Sequence, residues 1–96
     1  MSGARINTQE ACLAITKSLV RSRPPTVTAD YALEALTVGG DVAGLTGKYG
    51  PEYVAGWRDG WEHQKATQPD AGERYREGVD DGKAAVVMCR QFWNQL

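Results

Sequence analysis

The chain is poor in the residues that usually announce chemistry. It holds one histidine, two cysteines and one phenylalanine among its 96 residues. With a single histidine there is no His-Glu-x-x-His pair, and neither cysteine stands at ligand spacing from His63, so no zinc site is expected. Cys12 and Cys89 are too distant in sequence for a zinc knuckle and too few for a disulfide scaffold. A reduced pair in the cytoplasm is expected, with one long-range disulfide as the alternative. No apolar run reaches membrane-spanning length, and the opening "MSGARINTQEA" lacks a basic region followed by an apolar core. Neither a membrane association nor a signal peptide is therefore expected. Charge of one sign is missing too. Eleven basic and twelve acidic side chains leave a formal charge of -1, which argues against a dominant nucleic-acid footprint and against an acidic DNA mimic. The glycines do not build a phosphate loop, because no "GxxxxGK[ST]" or "GxGxxG" stands between a strand and a helix. No cofactor is expected.

What is present is an internal echo. "YVAGWRDG", from Tyr53 to Gly60, returns as "YREGVDDG", from Tyr75 to Gly82, and both copies read Tyr-x-x-Gly-apolar-x-Asp-Gly. On a helix the tyrosine and the two glycines of each copy share one face. Tyr53, Gly56 and Gly60, and Tyr75, Gly78 and Gly82, are accordingly read as helix-packing positions. Four glycines inside helices cost roughly 3 to 4 kcal/mol against alanine, which close approach of two helices would offset. Glycines placed at a helix kink or end would carry no such cost.

The remaining periodicity is helical throughout. Residues 1–6 read as a flexible tail, and 7–96 as a single helical domain. Asn7 caps a first helix, with Glu10 closing the box and Ile6 stapled to Ala11, while Cys12, Ile15 and Leu19 form its buried stripe. Pro24 and Pro25 end it. A second helix starts near Thr28 and stops at Gly39 and Gly40, and a short third segment runs from Asp41 towards Lys48. Pro51 opens a helix expected to reach Ala66. Asp70, with Glu73 three residues on, caps the last one, whose stripe is Tyr75, Val79, Val86, Cys89 and Trp93, with a second ridge of Met88, Phe92 and Leu96. The expected fold is all-α, a small four- to five-helix domain with a C-terminal antiparallel helical hairpin packed through its Gly-containing faces and joined by "TQPD".

Candidate sites are few. Asp59, Glu62 and His63 share a helical face, but as a metal site they would need a cysteine from elsewhere. Adjacent Asp80 and Asp81 diverge on a helix and make a poor general acid and base pair. Asp59 and Asp81 occupy equivalent repeat positions and are expected to bond between helices or to face a partner. No catalytic residue is assigned, and the chain is not expected to be an enzyme.

The aromatic residues say more. A domain this small has difficulty burying Trp57, Trp61, Phe92 and Trp93 together with its tyrosines, and exposed aromatics beside arginine suit a protein interface. Trp57, Arg58, Trp61, Phe92 and Trp93 are therefore the expected partner-binding residues. Arg21, Arg23 and Lys48 are the contacts for the competing function, a small dimeric DNA-binding regulator. In general character, a compact near-neutral chain with "YxxGxxDG" elements resembles the small accessory proteins of bacteriophages and other mobile elements, including inhibitors of host defence systems. That resemblance implies a non-enzymatic protein-binding module directed at a host macromolecular complex. It places no residue in a site. The expected partner is a protein, with a homodimer as another arrangement and nucleic acid ranked below both.

Overall fold

The computed structural model describes residues 3–94. It is a small all-α domain of five helices: α1 (Thr8–Arg21), α2 (Ala29–Ala35), α3 (Val42–Tyr49), α4 (Pro51–His63) and α5 (Glu73–Trp93). Local chemistry sets most of the helix starts. The side chains of Asn7, Thr28 and Asp41 accept from the backbone N–H groups of Glu10, Tyr31 and Gly44, and proline occupies the first position of α4, where its missing donor costs nothing. Gly39 and Gly40 both take positive φ, 74° and 76°, and so turn the chain between α2 and α3.

The last two helices depart from their expected bounds. Gln64 adopts a left-handed conformation at φ 56°, and its N–H returns to the Gly60 carbonyl, which closes α4 at His63 rather than Ala66. The cap of α5 is Gly72, without a side-chain bond. The box expected of Asp70 and Glu73 does not cap the helix. These changes lengthen the connection to residues 64–72, and the topology follows from that length. The thirteen residues of α4 rise about 20 Å, a distance that an extended connection at roughly 3.3 Å per residue can retrace.

The chain does retrace it. Gly72 begins α5 beside Glu52 at the start of α4, and contacts then advance together, Gly56 meeting Tyr75 and Val79 while Gly60 meets Val79 and Lys83. α4 and α5 therefore run parallel. The antiparallel hairpin expected from a four-residue link is incorrect, because that link is only part of a longer return.

Helix α1 runs the same way along α5. Arg5, just before it, pairs with Asp81, and Leu19 and Val20 near its end share a hollow with Trp93. α2 runs in the opposite direction. Its first residue, Ala29, donates to Glu62 near the end of α4, whereas Leu36, just after it, lies with Leu45 and Ile6 near the start of α1. Three parallel helices align their dipoles, and the sequence places charges to suit: Glu10, Glu52 and Glu73 lie in first turns, and Arg21, His63 and Arg90 in last turns. The core lies where these helices meet and contains Ile15, Leu33, Tyr53, Trp57, Val86 and Cys89. α3 contributes no fully buried residue.

The segment ahead of α1 is also part of the fold. Ile6 is buried, its N–H donates to Tyr53, and the Ala4 carbonyl accepts from Arg74. The tail expected over residues 1–6 is thus docked from Ala4 to Ile6. Met1 and Ser2 lie outside the described residues, as does Leu96 of the expected second ridge.

Candidate functional site

The two copies of the repeat meet in a reciprocal arrangement. A side chain added at Gly56 would collide with the Tyr75 carbonyl, and one at Gly78 with the Tyr53 carbonyl; Gly60 and Gly82 stand in the same relation to Val79 and Trp57. The polar ends of the motif cross over as well. Tyr53 donates to Asp81 and accepts the Ile6 N–H at 2.8 Å, while Tyr75 donates to Asp59 and accepts the Thr67 N–H at 2.9 Å. Each tyrosine thus joins the aspartate of the other copy to a passing backbone segment. The first clip holds the approach to α1, and the second holds the return from α4 to α5.

These groups bond chiefly to one another. Burial, followed by the adjacent Asp81 carboxylate, pushes the Tyr53 phenol well above its ordinary range, so it remains a proton donor. Asp81 also receives two bonds from Arg5, at 2.7 and 2.9 Å, and this hydrogen bonding holds the guanidinium pKa up. Arg74 bonds Glu77 at 2.8 Å and the Tyr49 carbonyl at 2.6 Å, and lies 4.5 Å from the Tyr53 ring centre. Asp59 and Asp81 serve contacts between helices.

The aromatic residues divide differently from the expectation. Trp57 and Trp61 are 0% and 2% exposed, and their rings stack at 5.3 Å. They are core rather than partner-binding residues, because α5 and α2 pack against α4 and Trp93 meets the Trp61 ring edge-on. The Trp61 indole donates to the Val27 carbonyl at 3.0 Å, and the neighbouring Arg58 is paired with Asp30. Phe92 remains 42% exposed, and Trp93 is half-buried at the end of α5. Tyr53, Gly56, Gly60, Tyr75, Gly78 and Gly82 are all buried.

Trp93 stands between two hollows. One, of about 220 Å³, is lined by Leu19, Val20, Arg23, Pro24 and Trp93. The other, of about 460 Å³, extends from Pro25 and Val27 across Trp61 and Glu62 to Arg90 and Trp93. Val20, at 71% exposure, stands at the first hollow. It had not been singled out in the sequence, although it lies off the Cys12, Ile15 and Leu19 stripe and just before a double proline, a position that leaves an apolar side chain uncovered. Arg21, Arg23 and Arg90 make no ion pair among the described residues. Lys48 lies elsewhere, beside Asn7 and Glu10 at the start of α1. The three residues considered for nucleic acid are therefore not brought onto one surface.

The other chemical groups are dispersed or occupied. Glu62 accepts the Ala29 N–H at 2.8 Å, and Asp59 accepts from Thr67 at 2.7 Å. Among the described residues no three of His, Cys, Asp and Glu gather into a metal-sized cluster, and no helix is long and apolar enough to cross a membrane. Cys12 and Cys89 are free and buried with their thiols adjacent, and burial raises the Cys89 pKa, the opposite of nucleophile activation. No protein family, curated protein or solved structure matches the chain.

Proposed function

We propose that the chain is a non-enzymatic protein-binding module whose contact surface is the end of the domain where α1 and α5 finish. The observation that carries this is the company kept by Trp93, two hollows on either side with exposed Val20 and Phe92 on the helices that end there. Aromatic and apolar anchors beside arginine are what a binding hot spot requires. A domain of this size acts by covering a surface on a larger partner, in keeping with an accessory protein that blocks a host complex. The glycine-bearing faces of α4 and α5 form, on the same reading, the seam that keeps this end rigid.

The test is affinity capture from cells that carry the gene, with the full chain as bait. A partner retained by the wild type and by Lys48→Ala, but lost by Val20→Asp and Phe92→Ala, supports the assignment. Capture unchanged by both of the latter variants removes it. Sedimentation of the free protein separates a second copy from a foreign partner, since self-association would make the same two variants monomeric.

A further inference from the structure

Arginines without an ion pair among the described residues occur at both ends of the parallel helices, and they differ in what lies beside them: Arg76 stands at the start of α5, exposed. At the starting end, Arg5 is held by Asp81, and Arg74 by Glu77 and two backbone carbonyls. At the finishing end, Arg21, Arg23 and Arg90 are unpaired among the described residues, and two of them line the hollows beside Trp93. The carboxylates nearby do not offset them fully. Asp30 is paired with Arg58, whereas Glu62, which accepts the Ala29 N–H through one oxygen, also lines the larger hollow together with Arg90, leaving Arg23 as the cation without a carboxylate in its hollow. Glu34 alone faces Lys17 and Arg21 in a separate shallow hollow.

Arg21 and Arg90 lie in last helical turns, where a cation also answers the helix dipole. Arg23 does not. It is exposed between α1 and α2, forms no hydrogen bond among the described residues, and stands with Pro24 and Trp93 around the smaller hollow. A positive group without a polar partner among the described residues, placed beside an apolar hollow, is complementary to an anionic group adjoining an apolar one.

We infer that the occupant of this end is an acidic polypeptide segment carrying a bulky apolar side chain. That side chain enters the smaller hollow beside Trp93, and a flanking carboxylate meets Arg23. The inference rests on the protein-binding assignment and adds the chemistry of the partner. Duplex nucleic acid is the less suitable anion. Its affinity comes from neutralising many phosphates at once, whereas this surface offers a few guanidiniums among apolar groups on a chain of net charge -1. Carboxylates beside an apolar anchor use both kinds of group.

The experiment uses the full chain and three fluorescein-labelled peptides of about a dozen residues, read by anisotropy. One is glutamate-rich with a central Trp, the second replaces the glutamates with lysines, and the third keeps the glutamates but replaces the Trp with serine. The first is expected to bind at least about tenfold more tightly than either other peptide and to weaken as salt rises. Arg23→Glu should abolish that preference, while Lys48→Glu, at the far end, should preserve it. Circular dichroism should show both variants folded. Equal binding of the lysine peptide overturns the charge inference and leaves the protein-binding assignment standing. Failure of all three to bind also overturns it, with the capture experiment then deciding the assignment separately. Displacement of the acidic peptide by an equimolar mixed-sequence DNA duplex, with loss on Arg23→Glu, overturns both.

Discussion

The starting half of the domain and its finishing end use the same residue types to opposite effect. Around the seam of α4 and α5, tyrosine, aspartate and arginine close on one another: Tyr53 on Asp81, Tyr75 on Asp59, and Arg5 across Asp81. At the end of α5, Arg23 and Arg90 line the hollows beside Trp93 without an ion pair among the described residues, and Phe92 stays exposed. The difference teaches that an aromatic beside an arginine is closed off where a third group completes the set and stays open where none does, and the open set is the contact surface we propose.

Mutation can break that contrast from either side, and the seam should give the largest effects. Gly78→Leu must force the Tyr53 backbone away, so the cooperative thermal transition is expected to disappear. Even Gly78→Ala should cost about 3 kcal/mol, despite an intrinsic helix gain of roughly 1 kcal/mol. A neutral or stabilised Gly78→Ala in urea denaturation would mean that the glycine faces are not the seam. Trp57→Ala empties a fully buried site and should cost about 3 to 5 kcal/mol by the same measurement.

The clips come next. Tyr53→Phe removes the hydroxyl that joins Ile6 to Asp81 and should cost about 1 to 2 kcal/mol. Its pH signature has a definite sign. The folded chain holds the Tyr53 proton more tightly than the unfolded chain, so this contribution is complete below pH about 10 and declines as pH rises further. Melting temperatures measured from pH about 9 to about 11 should therefore fall more steeply in the wild type than in Tyr53→Phe. Parallel slopes would show that the phenol titrates alike in both states.

The smallest changes in stability belong outside the seam. Gly47 is also helical, but a side chain there meets nothing within 4 Å, so Gly47→Ala should stabilise by about 0.5 to 1 kcal/mol. Gly47 and Gly78 together separate helix propensity from close packing. Phe92→Ala should change stability by no more than about 0.5 kcal/mol and yet abolish partner capture. A large loss of stability in Phe92→Ala would show that this end belongs to the core after all.

Much of the fold was legible because its cause was local. The Asn7 cap, the proline at the start of α4, the Gly39-Gly40 turn and the buried stripe of α5 each depend on a few neighbouring side chains. The sense of the last crossing was not local. It turned on whether the chain leaves its helix at Ala66 or at Gln64, and a left-handed Gln64 has no strong sequence signal. Trp57 and Trp61 were misjudged for a related reason. Their i, i+4 spacing says that they share a face, but not that neighbouring helices cover it.

By itself, the sequence determined four to five helical segments, a repeated tyrosine–glycine–aspartate element, and the caps that open several helices, because helix period and capping act over a turn or two. Tertiary structure decided the rest: that the two repeats lie parallel and exchange their tyrosines, and that Arg23 and Arg90 come to lie beside Trp93. Those outcomes depend on which distant surfaces fit together, and fit is a property of assembled backbones rather than of any stretch of chain.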